Sequence, residues 1–352
     1  MSYRDGWSAL SLEMPDRVPR TEYSLEMHSG LIRHLTGIDI NGDIKAEEKA
    51  MAVLQMQQAL NYDFIWSTLT SRNIFEGKCT DMGHAVYQEG GTDFRAKTST
   101  LYDDPEAALA FDPFELYGLK DKAALVQEYN SHYENNVKRN SDTVNMTGIY
   151  VTVMSGLIDI FGWEMLLEAA GTDPEAFGKL TDRYAAWVLQ YFQALAESKS
   201  SVVMIHDDIV WTSGAFIHPD WYRRFVFPNY RKLFAPLRDA GKIIMFTSDG
   251  NYTEFVDDIA ECGINAFVME PLTDMAYIAE KYGRTHAFAG NADTRILLLG
   301  SKEDIRREVK RCMDIGKKSP GFFIAVGNHI PPNTPLDNIL YYNDAYEEMS
   351  KR

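Results

Sequence analysis

Five times in the second half of the chain, an apolar run ends in side chains that can do chemistry. Val202-Val-Met-Ile205 is followed by His206, Asp207 and Asp208. Lys242-Ile-Ile-Met-Phe246 leads into Thr247-Ser-Asp249-Gly250-Asn251. Asn265-Ala-Phe-Val-Met269 ends in Glu270-Pro271, His286-Ala-Phe288 runs on to Gly290-Asn291-Ala-Asp293, and Phe322-Phe-Ile-Ala-Val326 to Gly327-Asn328-His329. Carboxylates and imidazoles gathered in one mouth raise one another's pKa, attract a cation, or serve as general acids and bases. Each residue also has a plainer reading. Asp208 can cap a loop, Asp249-Gly250 is a common turn pair, and Glu270 before Pro271 can be a solvated loop acid. Asn291 and Asp293 suit a turn, and His206 and His329 can be satisfied structural imidazoles. His84, His132, His218 and His286 have no such company and read as structural.

The elements that must position these groups alternate. Continuously apolar runs at 202–205, 242–246, 265–269, 286–288 and 322–326 read as strands, each followed by a helical stretch, and Tyr150-Val-Thr-Val153 reads as one more. A helix is expected over Lys45 to Leu60, and a strand in the run Tyr62 to Trp66. A further strand near Ala85 to Gln88 completes a count of eight. Helix starts are marked at Thr172-Asp-Pro-Glu175, Ser301-Lys-Glu-Asp304 and Thr334-Pro-Leu-Asp337, where a hydroxyl precedes an acid by three residues. Strands apolar along their length and separated by helices form a parallel sheet covered on both faces. Eight such units make an α/β fold of the (β/α)8 TIM-barrel type, with function where strands end and the following loops begin. An open doubly wound sheet is the alternative, without a Gly-x-Gly-x-x-Gly turn in its favour. The whole chain, 1–352, reads as a single domain, with residues 1–60 an N-terminal helical extension packed on the barrel.

Composition narrows the partners. A net charge of −16 argues against nucleic acid and anionic membranes, and against a highly anionic substrate unless a local basic pocket receives it. The three cysteines, Cys79, Cys262 and Cys312, form no Cys-x-x-Cys pair, and their odd number does not suit a disulfide framework. No run approaches a membrane span and no apolar leader is evident, so a cytoplasmic location is expected.

Several segments together resemble the uroporphyrinogen-decarboxylase-like superfamily. They are Met204 to Gly214, Phe225 to Tyr230, Thr247 to Asn251, Gly290 to Asp293 with Leu297 to Gly300, and the ending His329-Ile-Pro-Pro-Asn-Thr-Pro-Leu-Asp-Asn338. The resemblance is close from Gly148 onward and looser before it. It implies a TIM barrel and one of two chemistries: metal-free decarboxylation of a tetrapyrrole, or methyl transfer to or from a corrinoid protein assisted by zinc. The decarboxylases carry an arginine-rich opening motif. Here that region keeps Arg17 and Arg20 without the cluster. The thiol-methylating branch binds zinc through cysteines, and no cysteine of this chain falls at those positions. What remains is an oxygen and imidazole set for zinc: His206, Asp249, Glu270 and His329. The expected function is therefore methyl transfer from a small methylated substrate, an aromatic methyl ether being one candidate. The corrinoid would be supplied by a partner protein. Asp208, Asp249 and His329 are the expected catalytic groups, and His206, Asp207, Asn251, Asn291 and Trp66 the expected substrate contacts. Tetrapyrrole decarboxylation and a catalytically silent corrinoid-binding barrel are the alternatives, and oligomerisation is left open.

Overall fold

The computed structural model describes residues 1–81 and 100–352. The strand expected at Ala85 to Gln88 lies outside these residues. We number the strands β1 (Phe64–Ile65), β2 (Val144–Asn145), β3 (Thr147–Ile149), β4 (Val202–His206), β5 (Val210–Trp211), β6 (Gly214–Ala215), β7 (Ile243–Ser248), β8 (Ala266–Met269), β9 (Ala287–Ala292) and β10 (Phe322–Val326). A six-stranded parallel sheet runs β10-β9-β8-β7-β4-β3, and β1 pairs parallel with β2. Among the described strands only β5 and β6 pair antiparallel, in a short hairpin after β4.

The ring closes through an extended segment at residues 19–21. The amide of Ile324 in β10 donates to Pro19 O at 2.9 Å, and Thr21 N donates to Ile324 O at 3.2 Å. On its other side Asp63 N donates to Arg20 O at 2.8 Å, just before β1. Part of the expected N-terminal extension thus belongs to the barrel wall. The segment escapes an apolar-pattern reading because its central residue is an arginine. Arg20 is fully buried, and its Nε lies 3.1 Å from Glu22 Oε1. Its Nη1 donates to Asn343 Oδ1 at 2.6 Å and to Leu60 O at 3.2 Å. Glu22 Oε2 in turn accepts the Val326 amide at 2.8 Å. One buried ion pair therefore ties the first wall segment to β10 and to the C-terminal helix.

Side chains along each strand alternate between two cores. Phe64, Val144, Met146, Val202, Met204, Met245, Val268, Ala289 and Phe323 fill the barrel interior. Val203, Ile205, Ile244, Phe246, Phe267, Phe288, Phe322 and Ile324 pack under the helices. This is the two-residue period of a sheet buried on both faces.

Three expected boundaries move. The strand expected at Tyr150 to Val153 ends at Ile149, because Tyr150 N donates instead to Thr70 O at 2.8 Å. The β-branched residues beyond it, Val151 and Val153, are buried in the lead-in to the helix Met154–Thr172. That helix has a non-helical kink within it at Gly162. The helix expected from Thr172 is capped by Asp173, whose carboxylate accepts from Glu175 N and Ala176 N, with Pro174 at the first helical position. The capping box at Ser301 and Asp304 forms as expected. The final helix starts after Pro335 with no side-chain cap, so Thr334 does not play that part.

Removing one member of a buried ion pair strands its partner and costs about 3–5 kcal/mol. Arg20→Met is expected to lower unfolding stability by about that amount in urea titrations. Arg20→Met combined with Glu22→Gln should recover part of the loss, whereas strict additivity would separate the pair from barrel closure.

Candidate active site at the barrel mouth

The interior parity of the strands determines which polar groups meet. Met204 points into the barrel, so His206 and Asp208, two and four residues on, continue inward. Met245 is interior, which sets Thr247 and then Asp249 on the same side, and Val268 likewise leads to Glu270. Gly250 makes the turn after β7 possible. Its φ is +84°, and a Cβ there would lie 2.7 Å from the carbonyl of Trp211.

The result is a tight cluster. His206 Nε2 lies 3.3 Å from Asp208 Oδ1, and that oxygen also accepts the Asp249 amide at 3.0 Å. One ligand-type atom from each of His206, Asp208 and Asp249 lies within 4.8 Å of the others. The His206 ring packs on Tyr150 with centroids 4.5 Å apart, and its Nδ1 faces the Tyr150 carbonyl at 3.3 Å. Asp208 is fixed from behind, its amide donating to Ser155 Oγ at 2.7 Å.

A second chain of bonds holds the loops. Glu270 Oε2 accepts the Gly250 amide at 2.7 Å, and its Oε1 accepts from the Asn328 side chain. Asn328 Oδ1 accepts the His329 amide at 2.6 Å, and His329 Nδ1 bonds Ser24 Oγ. Three loops are thereby locked to one another around Asp249.

The electrostatics follow from crowding. Burial raises the Asp249 pKa most, and the Asp208 and Glu270 charges add to it. His206 and a hydrogen bond from Asn328 oppose them, and the balance is about 7. For His206, burial disfavours the charged ring, but the ion pair and hydrogen bond with Asp208, helped by Asp249, outweigh it and lift the pKa to about 9. Burial, with the nearby His206 charge, lowers the pKa of His329.

Above the cluster opens a cavity of about 500 Å³, within the usual range for small-molecule sites. His206, Asp249, His329 and Trp66, among the residues expected at a site, line it, together with Tyr23, Ser24, Tyr150, Thr247 and Asn328. Trp66 lies between Tyr23 and Phe64, each ring centroid 4.9 Å away. Sequence reasoning passed over Tyr23 and Ser24 because the segment before them carried no strand signal. Tyr150 was hidden inside a run read as strand.

Other expected site residues sit elsewhere. Asp207, expected at the substrate, has the opposite parity and faces the helices. Its Oδ1 accepts the amides of Val153 and Ser155 at 3.1 and 2.7 Å, and its Oδ2 accepts from the Tyr230 hydroxyl. Asn251 turns back to accept from Thr253 N and Oγ1 at 3.1 and 2.7 Å. Asn291 is buried and donates to the carbonyls of Glu270 and Thr273, both at 3.2 Å. Of the four groups expected around a cation, His206 and Asp249 come together and Asp208 joins them. Glu270 holds a loop and His329 pairs with Ser24. The donor set His206, Asp208 and Asp249 fits zinc, which accepts nitrogen and carboxylate oxygen and, in catalytic sites, takes three protein ligands with one position left open.

A barrel with its reactive groups at the C-terminal strand ends defines an enzyme of the TIM-barrel class. The family model for uroporphyrinogen decarboxylase (URO-D) matches residues 135–349, more than half of the chain, and the protein belongs to that family. The uroporphyrinogen decarboxylase of Syntrophotalea carbinolica is 27% identical over 179 residues, 51% of this chain and 50% of that protein. That of Thermus thermophilus is 28% identical over 172 residues, 49% of this chain and 48% of that protein. The chain thus spans about half the length of the curated relatives it matches. Among solved structures, a methyltransferase from Methanosarcina mazei superposes with a TM-score of 0.65 at 20% identity, covering 97% of this chain and 96% of that one. That likeness is one of fold. No helix of the described residues is long and apolar enough to cross a membrane.

The folded pKa of His206 stands above its ordinary value of 6.5, so its proton favours the folded state at low pH, and that contribution is lost as pH rises through about 9. Asp208→Asn removes the group that holds the proton. Histidine proton shifts followed by NMR should show His206 titrating near 9 in the parent chain, and well below that in the variant. An unchanged midpoint would contradict the ion pair.

Proposed function

We propose that this protein is a methyltransferase that moves a methyl group from a small methylated substrate onto a corrinoid carried by a partner protein, an aromatic methyl ether being one candidate donor. The observation that carries the proposal is the His206, Asp208 and Asp249 cluster beneath a cavity of about 500 Å³ walled by Tyr23, Trp66 and Tyr150. Cleaving a methyl–oxygen bond leaves the bonding pair on oxygen, so that atom must gain a proton or a cation as the methyl departs. The cluster can supply either. With its pKa raised toward neutrality, Asp249 can take up a proton and pass it to the leaving oxygen. Zinc held by His206, Asp208 and Asp249 would supply Lewis acidity toward that same atom. Tyr150 orients the imidazole of His206, and Glu270 with Asn328 holds the Asp249 loop in place. The aromatic walls exclude water and offer a face to a planar donor.

The decarboxylase alternative is weakened by where the N-terminal arginines go. Arg20 is spent on Glu22 inside the wall, and Arg17 on Asp63 at 2.5 Å and on Tyr346. Neither lines the cavity, whose lysine and arginine residues among the described ones are Lys49 and Arg139. Two cations are poorly matched to a substrate bearing many carboxylates.

The test is direct. The protein is incubated with methylated aromatics and a corrinoid protein reduced to the cob(I)alamin state, and methylation of the corrinoid is followed by absorbance. Methyl transfer is expected, with Asp249→Ala slowing it by about 100-fold or more, as for loss of a general acid or cation ligand. Carbon dioxide release from uroporphyrinogen without methyl transfer would replace this reading with the decarboxylase one.

A further inference from the structure

The same cavity is lined by two cations that the reaction does not use. Lys49, on the helix Ala46–Ala59, and Arg139, in the last turn of the helix Lys122–Arg139, both line it. Neither forms an ion pair with any described residue. Several other exposed cations of this acidic chain are paired, among them Arg223, Lys281 and Arg306. Two exposed cations on one cavity, without an ion-pair partner among the described residues, give it positive charge on a chain of net charge −16.

The acids along this stretch do not cancel the cations. Of the described lining acids, Glu22 is already neutralised by Arg20 and Asp249 belongs to the cluster with His206, which leaves Glu26.

We propose that Lys49 and Arg139 form an anion-receiving subsite, so that the substrate is a small molecule with one negatively charged group, carboxylate or phosphate, whose other end lies at the His206, Asp208 and Asp249 cluster. This rests on the small-substrate reading above and deepens it. The charged group meets Lys49 and Arg139, and a guanidinium can grip it through two parallel N–H bonds. The rest of the molecule crosses the aromatic wall toward Asp249. One or two charges suit this pair of cations. The arrangement reconciles an anionic substrate with a strongly acidic protein, because screening at physiological salt confines the bulk repulsion to about 8 Å.

Equilibrium binding measured by calorimetry on the full chain tests it, with 4-methoxybenzoate, 4-methoxyphenyl phosphate and the neutral 4-methoxybenzyl alcohol as probes. At least one anion should bind more tightly than the alcohol. Arg139→Met and Lys49→Met should each weaken that anion about tenfold and leave the alcohol unchanged, as loss of a charge-assisted contact would. Glu26→Gln should tighten the anion modestly. Both side chains are exposed, so the variants should fold, which circular dichroism checks. The carboxylate and phosphate arms show which anion the subsite prefers. Failure of both anions to bind, or equal losses for anion and alcohol, overturns the proposal. Methyl transfer is scored separately. Anion binding through Lys49 and Arg139 without methyl transfer would keep the subsite and discard the proposed reaction. Transfer from the alcohol with no preference for an anion would do the reverse.

Discussion

Two carboxylates and an imidazole crowd one barrel mouth, and their charges must be balanced there. Like charges a few ångströms apart raise one another's pKa. The chain meets this constraint with a proton on His206 and a carboxyl on Asp249 whose pKa sits near neutrality. A divalent cation would meet it as well, displacing both protons. The surrounding bonds keep the crowding in place. Ser155 and the Asp249 amide fix Asp208, Glu270 and Asn328 fix the turn at Gly250, and Tyr150 braces His206. Without these ties the carboxylates would swing apart into water and lose the mutual influence that makes them reactive.

Much of this was legible in the sequence, for identifiable reasons. The strands from β4 to β10 that form the barrel are apolar along their length and end abruptly in polar residues, so both the fold class and the mouth could be read. The parity of the mouth could have been read further. Counting by twos from Met204 places His206 and Asp208 inside and Asp207 outside, yet adjacent acids invite being taken together. The wall segment at residues 19–21 was hidden because its buried member is an arginine, and a buried ion pair has no apolar signature. The run Tyr150 to Val153 has strand composition but lies past the last ladder bond, since β propensity reports burial as much as pairing. Lys49, Arg139 and Tyr62 reach the cavity from helices and a helix–strand turn, where nothing about strand ends announces them.

The family relation and the site are compatible once the arginines are followed individually. The chain belongs to the URO-D family, and its N-terminal arginines are present, but they hold the barrel wall together and do not themselves line the cavity. The same wall position can thus serve assembly instead of substrate carboxylates. What varies between chemistries on one barrel is which side chains face the mouth, and here those are an imidazole, carboxylates and aromatic rings.

The account stands most directly on the cluster acting as one unit. Zinc titration of chelator-treated protein, followed by calorimetry, measures this without reference to any substrate. The account gives one ion per folded chain, protons released from His206 and Asp249 on binding, and loss of that site in both Asp208→Ala and Asp249→Ala. A chain that stays folded yet binds no stoichiometric zinc, or binds it equally well after either substitution, would contradict it.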